Sequence, residues 1–416
     1  MNKIRVIGGR PLTGKVRISG AKNAALVVIA ASVLARGESI IENVPHIQDV
    51  EILLDILRGL GAEANWLTDD TVSIRVPDNI NHRTPYEKAK LLRASNLLLG
   101  SMAGRKGVAD ISLPGGCNIG SRPMDLHLKG LQLLGFETRL EHGFIKARAG
   151  TLHGRDIYLD FPSVGATENI MMAASVVPGQ TIIENAAKEP EVVDLANFLN
   201  AMGARIRGTG TDVIKIEGVP ELKGIRHAVI PDRIEVGTFM TAAAITRGQV
   251  VLENVIPTHV QPIIAKLRES GTKVREKGDC IEVIGASRII AVDLKTMPYP
   301  GFPTDMQSQF MSLLSLAEGT SVIVENVFEN RFQVADELKR MGARIKVEGH
   351  TAVVKGVPRL FGTCVKASDL RAGAALVLAA LAAEGETEIS QIHHIFRGYE
   401  NLVEKFTSIG ADLQLI

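Results

Sequence analysis

A thiol set among glycines is the first place in this 416-residue chain where chemistry is expected. The run Pro114-Gly115-Gly116-Cys117-Asn118-Ile119-Gly120-Ser121-Arg122-Pro123-Met124-Asp125-Leu126-His127 presents one cysteine and, five positions later, one guanidinium. Glycines there allow a mobile loop whose backbone can approach a ligand closely. A loop thiol beside Arg or Lys has its pKa lowered from roughly 8.5 and becomes reactive. Cys117 can then act as a nucleophile or as a proton donor, and the residues alone leave both open. His127 is available as a partner, although nothing local builds a Cys–His triad. Cys280 and Cys364 lack such a setting and are expected to be small buried hydrophobes.

A second group of polar residues recurs just ahead of apolar stretches. It comprises Lys22-Asn23, Arg93, Thr167-Glu168, Asp232-Arg233-Ile234-Glu235, Thr304-Asp305 and Asp369-Leu370-Arg371. If each precedes a helix, their N–H groups and dipoles favour anions. Helix capping accounts for any one of them; six together point to a phosphorylated or carboxylated ligand. Near the C-terminus, Arg397 beside Gly398 suits a carboxylate or phosphate fork, with a solvated surface arginine as the alternative. His393-His394 suggests a metal only weakly, because no further ligand lies at a suitable spacing.

The elements that must position these residues repeat six times. Gly37, Gly107, Gly179, Gly248, Gly319 and Gly385 recur at intervals of roughly 70 residues, as do Gly61, Gly135, Gly203, Gly271, Gly342 and Gly410. Each segment opens with a stretch apolar nearly all round, such as Ala24–Ala31 or Ala374–Ala382, which predicts a buried helix with the first glycine as its C-cap. A β-branched strand follows, then a half-polar helix and short alternating strands. Segments one, three, four and five end that first strand in Glu-Asn (Glu42-Asn43, Glu184-Asn185, Glu253-Asn254, Glu325-Asn326); the second and sixth do not, and the second carries the cysteine loop. Buried helices must lie inside and sheets outside. The expected fold is α/β: two inside-out α/β-barrel domains of three segments each, inner helices parallel, a cleft between the domains, and a seam near 220–231.

Bulk composition excludes several functions. Apolar content of 45% with 22% charged residues describes a globular protein with ample core, and the net charge of +1 recruits neither nucleic acid nor an anionic membrane. Aromatic residues are only 4%, too few for a base-stacking surface. The apolar runs are too short to span a bilayer, and the N-terminus has no signal-peptide pattern. Three distant cysteines form no disulfide framework, so a reducing cytoplasm is expected. No cofactor or metal is indicated.

Ser19-Gly20-Ala21-Lys22-Asn23-Ala24, Leu113 through His127, Pro231 through Glu235, Phe302-Pro303-Thr304-Asp305-Met306-Gln307 and Arg397-Gly398-Tyr399-Glu400 closely resemble the UDP-N-acetylglucosamine 1-carboxyvinyltransferases, of the enolpyruvyl transferase family. The resemblance covers essentially the whole chain in order. It implies that 22–229 forms the first domain and 230–416 the second, with 1–21 crossing over to join the latter. The implied activity is transfer of the enolpyruvyl group of phosphoenolpyruvate to the sugar 3-hydroxyl with release of phosphate, the committed step of bacterial peptidoglycan precursor synthesis, in the cytoplasm.

By the same resemblance Cys117 is the acid that protonates C3 of phosphoenolpyruvate as a tetrahedral ketal forms, and Asp305 the base for the hydroxyl, with Lys22 and Arg397 also catalytic. Lys22, Asn23, Arg122, Arg371 and Arg397 would hold phosphoenolpyruvate. Arg93, Arg122, Pro123, Met124, Asp125, Leu126, Ser163, Val164, Gly165, Asp305 and Val327 would hold the nucleotide sugar. These two small molecules are the expected partners. One departure stands out: Phe396 replaces the Asp that commonly precedes the Arg-Gly-Tyr-Glu segment. The rivals are a shikimate-type transferase, which lacks the cysteine loop, a non-catalytic nucleotide-sugar-binding paralogue and an RNA-end-modifying enzyme, the last disfavoured by near-neutral charge.

Overall fold

The inner helices form where the sequence is mostly apolar. In a computed structural model, which describes residues 3–113, 120 and 123–416, they are Lys22–Ala31, Leu98–Lys106, Val164–Ala174, Arg233–Ile245, Gln307–Leu314 and Leu370–Ala382. Ala24 to Ala31, Ile234 to Ile245 and all of Gln307–Leu314 are buried. Each large aliphatic side chain so buried contributes on the order of 1.5–3 kcal/mol.

The chain divides into two compact units. Of the described residues, one unit takes 20–113 and 123–230; the other takes the chain up to Ser19, Gly120, and Pro231 to Ile416. Each has its own apolar core. Within the first unit, Gly100 N–H donates to Asn169 Oδ1 at 2.6 Å, and a Cβ on Gly104 would lie 3.4 Å from Ala173 Cα, so the two helices run parallel. They approach so closely that a Cβ at Gly100 would stand 2.2 Å from the Asn169 carbonyl oxygen, which only glycine permits. Within the second unit, Asp305 meets Arg371 and Ser312 Oγ donates to the Ala375 carbonyl at 2.8 Å, again a parallel pair.

The sheets repeat one order. In the third segment Gln180–Glu184 lies between Asp156–Tyr158, parallel to it, and Val213–Glu217, antiparallel; Arg205–Arg207 completes the sheet. The fifth repeats this with Leu294–Lys295, Thr320–Val324, Thr351–Lys355 and Arg344–Glu348. The parallel strand for the first segment, Arg226–Ala228, comes from the end of the third, which closes the ring of the first unit. In the second unit Thr13–Arg17 pairs parallel with Gln249–Glu253, and Ile4–Ile7 fills the place between Glu386–Ser390 and Asp412–Leu415. Both N-terminal strands are thus built into the sheets of the C-terminal half.

The Glu-Asn pairs have a structural cause. Asn43, Asn185 and Asn254 end their strands in the left-handed region (φ 55°, 55° and 60°), which asparagine tolerates better than other non-glycine residues. Their side-chain amides, with that of Asn326, donate to the carbonyls of Val229, Leu159, Ile18 and Thr296, each the residue just after the parallel strand. Every such asparagine therefore stitches two strands together at the end that faces an inner-helix start.

Two expectations are corrected. Of the first glycine set, only Gly107 is a helix C-cap; Gly37, Gly179, Gly319 and Gly385 sit beyond the helix in the turn that opens the strand, and in the fourth segment Arg247 takes the positive φ instead. Cys280 is half-buried and Cys364 exposed, not core: both occupy outward positions of strands whose alternate residues, Ile281 and Val365, point inward.

Candidate active site

In the second unit the site is assembled at the starts of inner helices. Asp305 lies in the turn Thr304–Met306 that leads into the helix Gln307–Leu314. The turn is fixed by buried Glu325 of the Glu-Asn pair, which accepts from Thr304 Oγ1 and Thr296 Oγ1, each at 2.9 Å, and from the amides of Val327 and Phe328. One carboxylate thus orders the flanks of both Asp305 and Val327.

Asp305 is clasped by two guanidiniums. Arg331 Nη2 donates to Oδ1 at 2.6 Å and Arg371 Nη2 to Oδ2 at 3.0 Å; the arginines are 2% and 5% exposed. Burial alone would raise the Asp305 carboxyl, but the charges of Arg371, Arg331 and Arg233 hold it far below the usual carboxylate range. Arg371, which burial alone would lower, is in turn pushed up by Asp305, so the pair stays charged. Arg371 Nη1 also donates to Tyr399 Oη at 3.2 Å, and that hydroxyl meets Thr238 Oγ1 at 2.8 Å and Gln309 Nε2 at 3.4 Å. A chain Thr238–Tyr399–Arg371–Asp305–Arg331 results, buried except at Asp305, which is half-buried. Among the described residues, Arg331 Nε and Gln309 Oε1 have no hydrogen-bond partner.

Other members of the polar group are caps. Asp232 Oδ1 accepts from the amides of Ile234 and Glu235, and Asp369 Oδ1 from those of Arg371 and Ala372. The Asp369 cap fixes the backbone from which Arg371 reaches Asp305. Arg397 closes the turn Ile392–Arg397, half-buried, and its neighbour Phe396 packs against the apolar core.

In the first unit Lys22 opens the first inner helix, and its Nζ lies 3.0 Å from Asp49 Oδ2, both largely buried. Asn23 beside it is exposed. Pro123 and Asp125 are exposed, Met124 is buried, and Leu126 packs on the core at the start of the helix Asp125–Leu133. Ser163 caps the third inner helix by accepting from Ala166 N, with Val164 and Gly165 in its first turn. His127 lies against that turn, and burial and Arg93 hold its imidazole down at about 4, so it is neutral. Cys117 and Arg122 lie outside the described residues.

The structure thus joins Asp305 with Arg371, links Val327 to the same turn, and sets Arg93 near His127, whose ring lies against Gly165. Asp49, Arg331, Tyr399 and Glu325 were not singled out as site residues from the sequence. Asp49 and Arg331 have no motif to mark them; Glu325 was seen only as part of a repeated pair, and Tyr399 only within a motif. Among the described residues no His/Cys/Asp/Glu group could hold a metal ion, and no helix is long and apolar enough to cross a membrane.

The family model for EPSP synthase (3-phosphoshikimate 1-carboxyvinyltransferase) matches residues 6–406. The chain is 57% identical over 403 residues to UDP-N-acetylglucosamine 1-carboxyvinyltransferase 1 of Caldanaerobacter subterraneus subsp. tengcongensis, covering 97% of each. It is 53% identical to UDP-N-acetylglucosamine 1-carboxyvinyltransferase of Halothermothrix orenii, covering 100% of each. Among solved structures it matches the enolpyruvyl transferase NikO from Streptomyces tendae with TM-score 0.89 at 29% identity, covering 100% of this chain and 98% of that one. EPSP synthase from Acinetobacter baumannii matches with TM-score 0.77 at 20% identity, covering 100% of each, a likeness of fold.

Proposed function

The chain belongs to the enolpyruvyl transferase family, and we propose that it transfers the enolpyruvyl group of phosphoenolpyruvate to the 3-hydroxyl of UDP-N-acetylglucosamine, releasing phosphate, in the cytoplasmic synthesis of peptidoglycan precursor. The observation that carries this reading is the full-length likeness to proteins named for that reaction. The half-buried Asp305 between buried Arg371 and Arg331 supports it, because the reaction needs a base beside an anion site.

The sugar hydroxyl adds to C2 of phosphoenolpyruvate while C3 takes a proton. The ketal then loses phosphate from C2 and a proton from C3, which restores the double bond as an enol ether. Cys117 is the acid toward C3 and Asp305 the base toward the hydroxyl; each such group supplies on the order of 10²–10⁴ in rate. Lys22, Asn23, Arg122 and Arg397 hold the phosphate end, and Arg371 with Arg331 the carboxylate. Arg93, Pro123 to Leu126, Ser163 to Gly165 and Val327 hold the nucleotide sugar.

Asp305 as described is a poor base, since two guanidiniums stabilise its charged form. A substrate carboxylate that takes over one of them raises the basicity of Asp305. Donor binding and base activation are thereby coupled, and the unmatched Nε of Arg331 offers the incoming carboxylate a further donor.

The family model's description favours one alternative acceptor, shikimate 3-phosphate. Phosphate release from phosphoenolpyruvate, measured with each acceptor in parallel, decides between them. Release only with UDP-N-acetylglucosamine is expected; release with shikimate 3-phosphate, or with neither, overturns the proposal.

A further inference from the structure

By sequence Glu325 matches Glu42, Glu184 and Glu253, but by hydrogen bonding it matches the residues two places further on. The strands Glu38–Glu42, Gln180–Glu184 and Gln249–Glu253 are each followed by a left-handed asparagine, and the next residue, Val44, Ala186 or Val255, is buried. The amides of those three donate to the carbonyls of Asp70, Asp212 and Asp279, each the residue just before the antiparallel neighbour strand. In the fifth segment the strand ends at Val324, and the Glu325 amide donates to the corresponding carbonyl, that of His350, at 2.8 Å. A carboxylate thus arrives, fully buried, at the position where the other three segments place Val, Ala and Val.

Burying a carboxylate is costly unless donors surround it. Here neutral donors do. Oε1 accepts from Thr296 Oγ1 at 2.9 Å and from the amides of Val327 and Phe328 at 2.8 and 3.1 Å, while Oε2 accepts from Thr304 Oγ1 at 2.9 Å. Thr296 Oγ1 in turn accepts from the Asn326 amide at 2.9 Å. Packing at this position asks for no more than valine, as Val44 and Val255 show. What the carboxylate adds is a tie between two stretches of chain, one leading into Asp305 and the other carrying Val327. The segment that departs from the repeat in this way is the one that supplies Asp305.

We propose that Glu325 is a positioning residue for the transfer, holding the backbone of the base Asp305 in register with the backbone at Val327 that receives the acceptor sugar. This rests on the proposed reaction, with Asp305 as base and Val327 as an acceptor contact. Arg371 and Arg331 hold the Asp305 carboxylate through long side chains, whereas Glu325 ties the two backbones directly. Oε1 serves the Val327 side and Oε2 the Thr304 side, so the two arms can be cut separately. A misplacement of about 1 Å between hydroxyl and base costs up to roughly 10²-fold in rate.

The test cuts the arms one at a time in the full chain. Glu325→Val installs the residue that the first and fourth segments carry and cuts both arms. Its kcat should fall roughly 10- to 100-fold and its calorimetric affinity for UDP-N-acetylglucosamine should drop, with KM for phosphoenolpyruvate unchanged. Thr304→Val, close to isosteric, cuts the Oε2 arm alone: kcat should fall while affinity for UDP-N-acetylglucosamine stays as in the unaltered chain. Glu325→Gln keeps an oxygen for the Oε1 donors and can donate its amide to Thr304 Oγ1, so it should recover most of both losses. It and Thr304→Val carry the test if the valine variant at 325 does not fold. Variants that lose stability yet keep kcat and affinity, a glutamine variant as poor as valine, or a Thr304→Val loss shared equally between kcat and acceptor affinity would overturn the proposal. An unaltered chain that transfers nothing to UDP-N-acetylglucosamine fails the proposed reaction; variants as active as the unaltered chain, where that chain does transfer, fail the role of Glu325 alone.

Discussion

Arg371 donates its Nη2 to Asp305 Oδ2 at 3.0 Å, and the half-buried carboxylate holds the charge of the buried arginine, which is 5% exposed. The carboxylate then serves two purposes at once. It is the counter-charge shared by Arg371 and Arg331, and it is the group proposed to accept the sugar proton.

Asp305→Ala should therefore unfold more easily, because Arg331 and Arg371 become buried cations without their carboxylate. Loss of one partner of a buried pair costs about 3–5 kcal/mol. Urea denaturation should show a loss of this order, and a change below about 1 kcal/mol would mean that water reaches the guanidiniums.

The pH dependence of turnover follows from the sign of the Asp305 shift. Its folded-state pKa lies below the ordinary value, so Asp305 stays ionised as pH falls through the usual carboxylate range. The free-enzyme profile of kcat/KM should show no acid limb from Asp305 above about pH 4. Arg331→Gln removes one of the stabilising charges, lets the carboxyl rise, and should move an acid limb to higher pH. An unchanged profile would separate Arg331 from the base.

Tyr399→Phe keeps the ring in the core and deletes the hydroxyl that receives Arg371 Nη1 and meets Thr238 and Gln309. Stranding those buried partners should cost about 1–3 kcal/mol of stability. With Arg371 less well aimed, KM for phosphoenolpyruvate should rise more than kcat falls. Equal effects on KM for both substrates would indicate loosened packing without misplacement of Arg371.

His127 adds a pH term to stability. Burial and Arg93 hold it at about 4 in the folded chain against 6.5 for the free side chain, so the unfolded chain binds a proton first as pH falls. Its contribution is complete above about pH 6.5 and is lost on the way down to about 4, a change of about 3 kcal/mol. The His127→Gln variant should flatten the stability curve by that amount over this interval. A parallel curve would mean that the imidazole titrates normally.

Much of the fold was legible in the chain because burial leaves a periodic signature. Stretches such as Ala24–Ala31 and Ala374–Ala382 are apolar on all faces and turn out to be interior, apart from half-buried Ala382 at the end of the second. The Glu-Asn pairs were visible as a repeat, but their cause was not, since a left-handed asparagine bonding a distant carbonyl depends on which strands become neighbours. The placement of Ile4–Ile7 beside Asp412–Leu415 was likewise invisible to local pattern, because it joins the two ends of the chain.

The site was partly legible for the same reason. Asp305 and Arg371 each stand at a helix start that the repeat marks. Arg331 and Asp49 do not, and only tertiary packing delivers them to Asp305 and Lys22. Asp232 and Asp369, by contrast, looked like ligand-binding candidates and are hydrogen-bonded to their own helices.

The most direct test of the proposed reaction is the identity of its product, followed by NMR with phosphoenolpyruvate and UDP-N-acetylglucosamine as the two substrates. Inorganic phosphate and a vinyl ether on the sugar 3-oxygen should form in equal amounts, with Cys117→Ser slowed by roughly 10²–10⁴. Phosphate appearing without the vinyl ether, or undiminished turnover by Cys117→Ser, would contradict it.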